Sequence, residues 1–173
     1  MDRTSSGSSC RIEVVKVLLD RGAAIDVTTD EDAYGCSTLY LAAESGDIEI
    51  VKLMLDRGAG IDIDATSGWS MLTALQWAAE EGYIEVVKVL LDRGAAIDAT
   101  TDDGWTALHV AALWGRIEVV KLLLDRGAAI DATTDDGWTA LHWAAREGYI
   151  EVVKVTYLTG MLRTTGILRT SGM

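Results

Sequence analysis

Between Ile117 and Asp125 the chain reads Ile-Glu-Val-Val-Lys-Leu-Leu-Leu-Asp, with polar residues only at Glu118, Lys121 and Asp125. At about 3.6 residues per turn these three share one narrow stripe, and the rest of the surface is apolar. A helix wet along a single stripe has to be covered on its other sides. Upstream, Thr106-Ala-Leu-His-Val-Ala-Ala-Leu-Trp predicts a shorter helix ended by Gly115. Thr106 suits its N-cap, where the hydroxyl accepts from a first-turn amide. Ala111 and Ala112 are small enough to let neighbouring helices approach closely. After the second helix, Arg126 complements the negative helix end and Gly127 suits a left-handed cap. The following segment, 128–137, ends in Asp-Gly, a tight-turn signal, and predicts an extended hairpin projecting between helix pairs.

This unit recurs. Ile-Glu-Val-Val-Lys, or Ile-Glu-Ile-Val-Lys, begins at Ile12, Ile48, Ile84, Ile117 and Ile150, at successive offsets of 36, 36, 33 and 33. The period is 33 residues with two three-residue insertions, one in the acidic stretch around Asp30–Asp32 and one at Ser70–Leu72. Thr73-x-x-Gln76 forms a capping box directly after the second insertion, which is therefore expected to bulge from the loop and leave Thr73 as N-cap. First helices are expected near 37–46, 73–82, 106–115 and 139–148, and second helices near 48–56, 84–92, 117–125 and 150–155. No single unit can cover its own apolar faces, but stacked copies can.

The run Gly104-Trp-Thr-Ala-Leu-His-Val-Ala-Ala, then Gly115, then Ile117-Glu-Val-Val-Lys-Leu-Leu-Leu and Gly127-Ala, resembles the ankyrin repeat. The family's Thr-Pro-Leu-His stands here as Thr-Ala-Leu-His at Thr106–His109 and Thr139–His142, and the chain contains no proline at all. The likeness runs from about Arg11 to Lys154. It implies an all-α ankyrin-repeat solenoid of stacked helix-turn-helix units with short β-hairpin loops, and a role in binding another protein. On this reading 1–10 is a polar, disordered N-terminal segment. Residues 11–155 hold a half repeat, three full repeats and one incomplete repeat, and 156–173 are a degenerate tail. That tail echoes itself as Thr159-Gly-Met-Leu-Arg-Thr164 and Thr165-Gly-Ile-Leu-Arg-Thr170.

The formal net charge of -12 disfavours nucleic acid and anionic membrane surfaces and points to a protein partner with a basic patch. Two cysteines, Cys10 and Cys36, indicate neither a disulfide framework nor a metal site. The N-terminus lacks the apolar core of a signal peptide, and no apolar run is long enough to span a bilayer. An intracellular setting, cytoplasmic rather than nuclear, is the expectation. His109 and His142 stand where other units carry Tyr40 and Gln76, so imidazole chemistry is not held. Their expected work is structural, bonding local backbone and the neighbouring Thr hydroxyl. With no partnered nucleophile, metal trio or carboxylate pair in sight, the chain is not expected to be an enzyme or to carry a cofactor or metal.

The hairpin segments hold twelve acids, from Asp26 to Asp136, and no Lys or Arg. Stacking aligns them as an acidic ridge, whether Asp stands there for partner choice or for its turn preference alone. Trp69, Trp105 and Trp138 follow the hairpin glycine in three successive units and form a column, open to two readings: frame or partner contact. Trp77 and Trp143 are assigned to the core. Gly104–Lys121 and Gly137–Lys154 differ only at Val110/Trp143, Leu113/Arg146, Trp114/Glu147 and Arg116/Tyr149. The middle two pairs fall at the end of the first helix, where the family's concave surface binds. The candidate partner-binding residues are therefore Trp69, Glu80, Glu81, Asp102, Asp103, Trp105, Leu113, Trp114, Asp135, Asp136, Trp138, Arg146 and Glu147. Two rival readings are a small-ligand or nucleotide sensor built on the tryptophan column, and a fragment of a longer array without independent function.

Overall fold

A computed structural model of the chain describes residues 4–23, 37–58, 62–66 and 71–164. These form nine helices: α1 (Thr4–Asp20), α2 (Thr38–Glu44), α3 (Ile48–Arg57), α4 (Ala74–Glu81), α5 (Ile84–Asp92), α6 (Ala107–Leu113), α7 (Ile117–Asp125), α8 (Ala140–Glu147) and α9 (Ile150–Thr164). The short helices α2, α4, α6 and α8 pack on one another in one layer. The longer helices α1, α3, α5, α7 and α9 form the other, and each short helix lies against the long helix that follows it.

Small residues set the spacing of the first layer. Ala43, Ala79 and Ala112 are wholly buried, beside Leu39, Leu75 and Leu108. In the second layer Val51, Val87, Val120, Leu90 and Leu123 are buried in the same way. Every one of these comes from the apolar sides left by the single polar stripe. The stripe itself pairs within each helix: Glu13–Lys16, Glu49–Lys52, Glu85–Lys88, Glu118–Lys121 and Glu151–Lys154 are all ion pairs. Exposed pairs of this kind are worth only about 0.2–0.5 kcal/mol each.

Caps hold the boundaries. Thr73, Thr106 and Thr139 are N-caps with reciprocal capping boxes, closed by Gln76, His109 and His142. The insertion before α4 does leave Thr73 at the helix start. Met71 bulges into solvent with a positive φ of 54°, and Leu72 is half-buried. Ser70 lies outside the described residues.

The third residue of the capping box also reaches the next unit. Nε2 of Gln76 donates to the carbonyls of Ala99 and Trp105, both at 2.9 Å. Nε2 of His109 donates to Ala132 and Trp138 at 3.0 and 3.1 Å, while its Nδ1 accepts from the Thr106 amide at 3.2 Å. Two carbonyl acceptors on Nε2 fix the neutral tautomer with the proton there. The histidine is thus structural as expected, but its reach across units was not in the sequence reading.

Four expectations change. The segment 1–10 is not irregular throughout, because α1 already begins at Thr4. Once Ile12–Asp20 is nucleated against α3, each further turn forms without a new nucleation cost. The last helix does not stop near 155 but runs to Thr164. It lacks the Asp-Arg-Gly that ends the other copies, so nothing stops it, and Arg163 donates to the Leu124 and Ala128 carbonyls at the end of α7. Arg126 does not serve its own helix end. It pairs with Asp92 of the preceding unit at 2.8 Å, as Arg93 pairs with Asp56 and Arg57 with Asp20. Finally, the loops are hydrogen-bonded turns and carry no strand among the described residues. Gly104 and Gly137 amides close them on Thr101 and Thr134, and a backbone bond from the Asp135 amide to the Asp103 carbonyl joins one to the next.

Two predictions follow from these contacts. Gly127 has φ 95° with open space where a Cβ would go, so Gly127→Ala should cost about 1 kcal/mol from backbone strain alone. At Gly115, φ 65°, a Cβ would come within 2.6 Å of the Tyr149 ring, which packs back over it. Gly115→Ala should therefore cost clearly more, and a double-mutant cycle with Tyr149→Ala in urea unfolding should show the two positions coupled. Equal costs at the two glycines would refute the contact.

The second concerns acid stability. Burial lowers the His109 pKa, opposed in part by its bonds to Ala132 and Trp138. The folded state then binds fewer protons than the unfolded one, so stability is complete above the ordinary imidazole value of about 6.5 and declines as pH falls through it. His109→Gln copies Gln76 and should keep stability near neutral pH while losing less on acidification. Parallel urea midpoints for parent and variant between about pH 7.5 and about pH 5 would show that another group is responsible.

Candidate functional site

The turns before α6 and α8 carry Trp105, Trp138 and four of the candidate acids, and the remaining described candidates lie at the ends of α4, α6 and α8. Asp102 and Asp103 sit exposed in the turn before α6, and Asp135 and Asp136 in the turn before α8. Trp69 lies outside the described residues. Glu80 and Glu81 end α4, Leu113 and Trp114 end α6, and Arg146 and Glu147 end α8. Leu113 is half-buried, whereas Trp114 keeps 48% of its surface open to solvent.

Trp105 and Trp138 do not stack as a simple column. Trp143, from the middle of α8, packs against both: ring centroids lie 4.6 Å from Trp105 and 4.7 Å from Trp138. The guanidinium of Arg146 then lies over Trp138 and Trp143, 5.7 and 5.4 Å from the ring centres. Aromatic pairs of this kind add about 0.5–1.5 kcal/mol beyond burial, and an exposed cation–π contact about 0.5–1 kcal/mol. The assignment of Trp143 to the core is corrected here. It is half-buried, it bridges the two turn tryptophans, and its indole Nε1 is buried without a hydrogen-bond partner among the described residues. Trp77, also half-buried, leaves its Nε1 in the same condition and packs on Tyr40 at 5.6 Å. The equivalent Leu41 is 47% exposed, so this helix position is not a core position in every unit. The pair Val110/Trp143 in the comparison of adjacent units held the signal, since a core position rarely tolerates so large a change in volume.

Between the turn before α6 and the insertion before α4 lies a groove of about 420 Å³. Met71 and Leu72 form one wall; Asp102, Asp103 and Trp105 form the other; Val110, Leu113 and Trp114 lie along it. The insertion residues were not among the candidates, because a bulge has no local marker of what it will face. Glu80 lines the groove as well. Burial raises its carboxyl pKa, and the Glu81 charge adds to this, while Arg116 acts in the opposite sense. Arg116 is held by a bond from Nε to the Glu80 carbonyl at 2.6 Å.

The acids of the structure fall into two populations. Those on the long helices are paired, with Lys within the helix or with Arg of the next unit, Asp125 excepted. In the turns, Asp64 and Asp98 accept the amides of Ala96 and Ala129 and so tie one unit to the next. Asp102, Asp103, Asp135 and Asp136 have neither ion pair nor side-chain hydrogen bond among the described residues. Among those residues no group of three or more His, Cys, Asp or Glu could hold a metal ion, and no helix is long and apolar enough to cross a membrane.

A comparison with curated proteins finds no match. The family model for ankyrin repeats, in three copies, matches residues 5–101 and 75–157. That span includes the helix pairs described above up to the first half of α9, the capping boxes and the turns that carry the unpaired acids, and on this match the chain belongs to the ankyrin repeat family.

Proposed function

We propose that this chain is an interaction scaffold that binds a basic partner protein on its concave face. Ankyrin repeats are in general protein–protein interaction modules and are typically not enzymes. The contact surface comprises Leu113, Trp114 and the Trp105–Trp143–Trp138 stack, edged by the turns with Asp102, Asp103, Asp135 and Asp136. The observation that carries the proposal is the segregation of charge: each lysine of the long helices is engaged in an ion pair within its own helix, whereas the four turn acids have none among the described residues. A surface of one sign steers a partner of the other and discriminates against acidic ones. The frame behind it is preorganised by packing, so little ordering entropy is lost on binding. The proposal includes a reducing intracellular setting, which the low cysteine content supports, and within it the cytoplasm rather than the nucleus.

The test is kinetic. With a partner isolated by affinity capture, Asp102→Asn, Asp103→Asn, Asp135→Asn and Asp136→Asn combined should slow association and flatten its salt dependence, with dissociation little changed. Trp114→Ala should instead speed dissociation, by the equivalent of about 2 kcal/mol if it is a hot spot. Lys88→Ala and Lys121→Ala lie on the opposite stripe and should do little. Loss of binding in the lysine variants, with the other two sets unaffected, would place the binding face on the long-helix side and overturn the proposal.

A further inference from the structure

Adjacent units offer a comparison at the groove beside Trp105. In the last unit Arg146 lays its guanidinium over Trp138 and Trp143. One repeat earlier, Trp105 stands where Trp138 stands, but Leu113 occupies the place of Arg146. This earlier unit therefore keeps the tryptophan and the turn acids and lacks the cation. In its place is an open groove of about 420 Å³, within the size range of sites that take small ligands or single side chains.

The charged residues lining that groove are Glu80, Asp102 and Asp103, and all are acids. Arg116 is close, but its Nε is fixed on the Glu80 carbonyl oxygen, and its charge offsets only part of what burial and Glu81 do to the Glu80 carboxyl. Glu80 is thus a partly desolvated carboxylate short of positive charge. The remaining surface is apolar and aromatic, with Trp105, Leu113 and Trp114 prominent. A ligand with an apolar stem and a planar cationic head matches both halves of this lining.

We infer that the groove receives one arginine side chain of the partner, its guanidinium against tryptophan and the carboxylates and its methylene stem along Leu113. The inference rests on the concave-face reading and names the residue type which that face reads. Arginine is favoured over lysine on two grounds. Its guanidinium is more weakly hydrated than an ammonium, stacks on aromatic rings and forks onto carboxylates. The chain's own Arg146 already uses the equivalent tryptophan in this way.

The experiment uses the full chain and follows the indole N–H signals of its six tryptophans by NMR. The probes are acetyl-Gly-Gly-Arg-Gly-Gly-amide, the same peptide with citrulline in place of arginine, and hexa-arginine. The arginine peptide should shift Trp105 and Trp114 saturably. The citrulline peptide, of the same shape but uncharged, should bind about tenfold more weakly or worse, as expected for loss of a charge-assisted hydrogen bond. Leu113→Arg supplies the guanidinium from within, as in the last unit, and should abolish the response. Glu80→Gln should weaken it several-fold without changing the thermal melt, which keeps the test valid should Leu113→Arg disturb folding. Equal binding of the arginine and citrulline peptides, or an unchanged response in both variants, overturns the inference. If hexa-arginine perturbs the Asp102–Asp103 and Asp135–Asp136 amides while Trp105 and Trp114 stay still, the groove is wrong and the acidic-face reading stands. If hexa-arginine perturbs neither, both fall.

Discussion

A helix that is apolar on all but one stripe can exist in water only when covered on its remaining sides, and this requirement governs the whole chain. Each inner long helix, α3, α5 and α7, is covered by the short helix before it and by the long helices on either side. The buried Val-Val-x-x-Leu rows and the Ala-Ala pairs repeat because each unit meets the same neighbours. Stability is consequently shared between units, and no unit has a core of its own.

Stacking alone would leave the vertical alignment loose, and polar contacts between units remove that freedom. Gln76 and His109 join a capping box in their own unit to two carbonyls of the next turn. Asp64 and Asp98 accept turn amides of the following unit. The Asp–Arg pairs run along the helix ends, although each is too exposed to contribute much by itself. These contacts lapse together at α9. Thr159 stands where the next arginine would be, and Asp125 has no ion pair among the described residues. The helix runs on, and Arg163 bonds carbonyls that a turn would otherwise approach.

The same geometry sorts the charges. The lysines of the long helices pair with acids on their own helix, and Arg57, Arg93 and Arg126 pair with acids of the preceding unit, so that surface is close to neutral. The turns receive no cations, and their acids accumulate along one edge. Beside that edge the tryptophans are held by one another and by Arg146, while the groove next to Trp105 is lined by acids without a cation of its own.

The sequence by itself determined the period, the two helices of each unit, the threonine caps, the left-handed Gly127 and the position of the insertion. All of these depend on residues within about one turn of one another, where spacing in the chain is spacing in space. It also raised the expectation that Leu113, Trp114 and the turn acids share one side, since a strict repeat copies each position to the same place in every unit. Tertiary structure alone decided that Arg126 pairs with Asp92, that His109 reaches Trp138, that Trp143 joins Trp105 to Trp138, and that Met71 and Leu72 wall a groove with the next turn. The bonds that join units link residues 23 to 39 apart. Whether such residues meet is set by how closely the alanine faces let the helices approach, and by the size of the side chains between them, which no local pattern records.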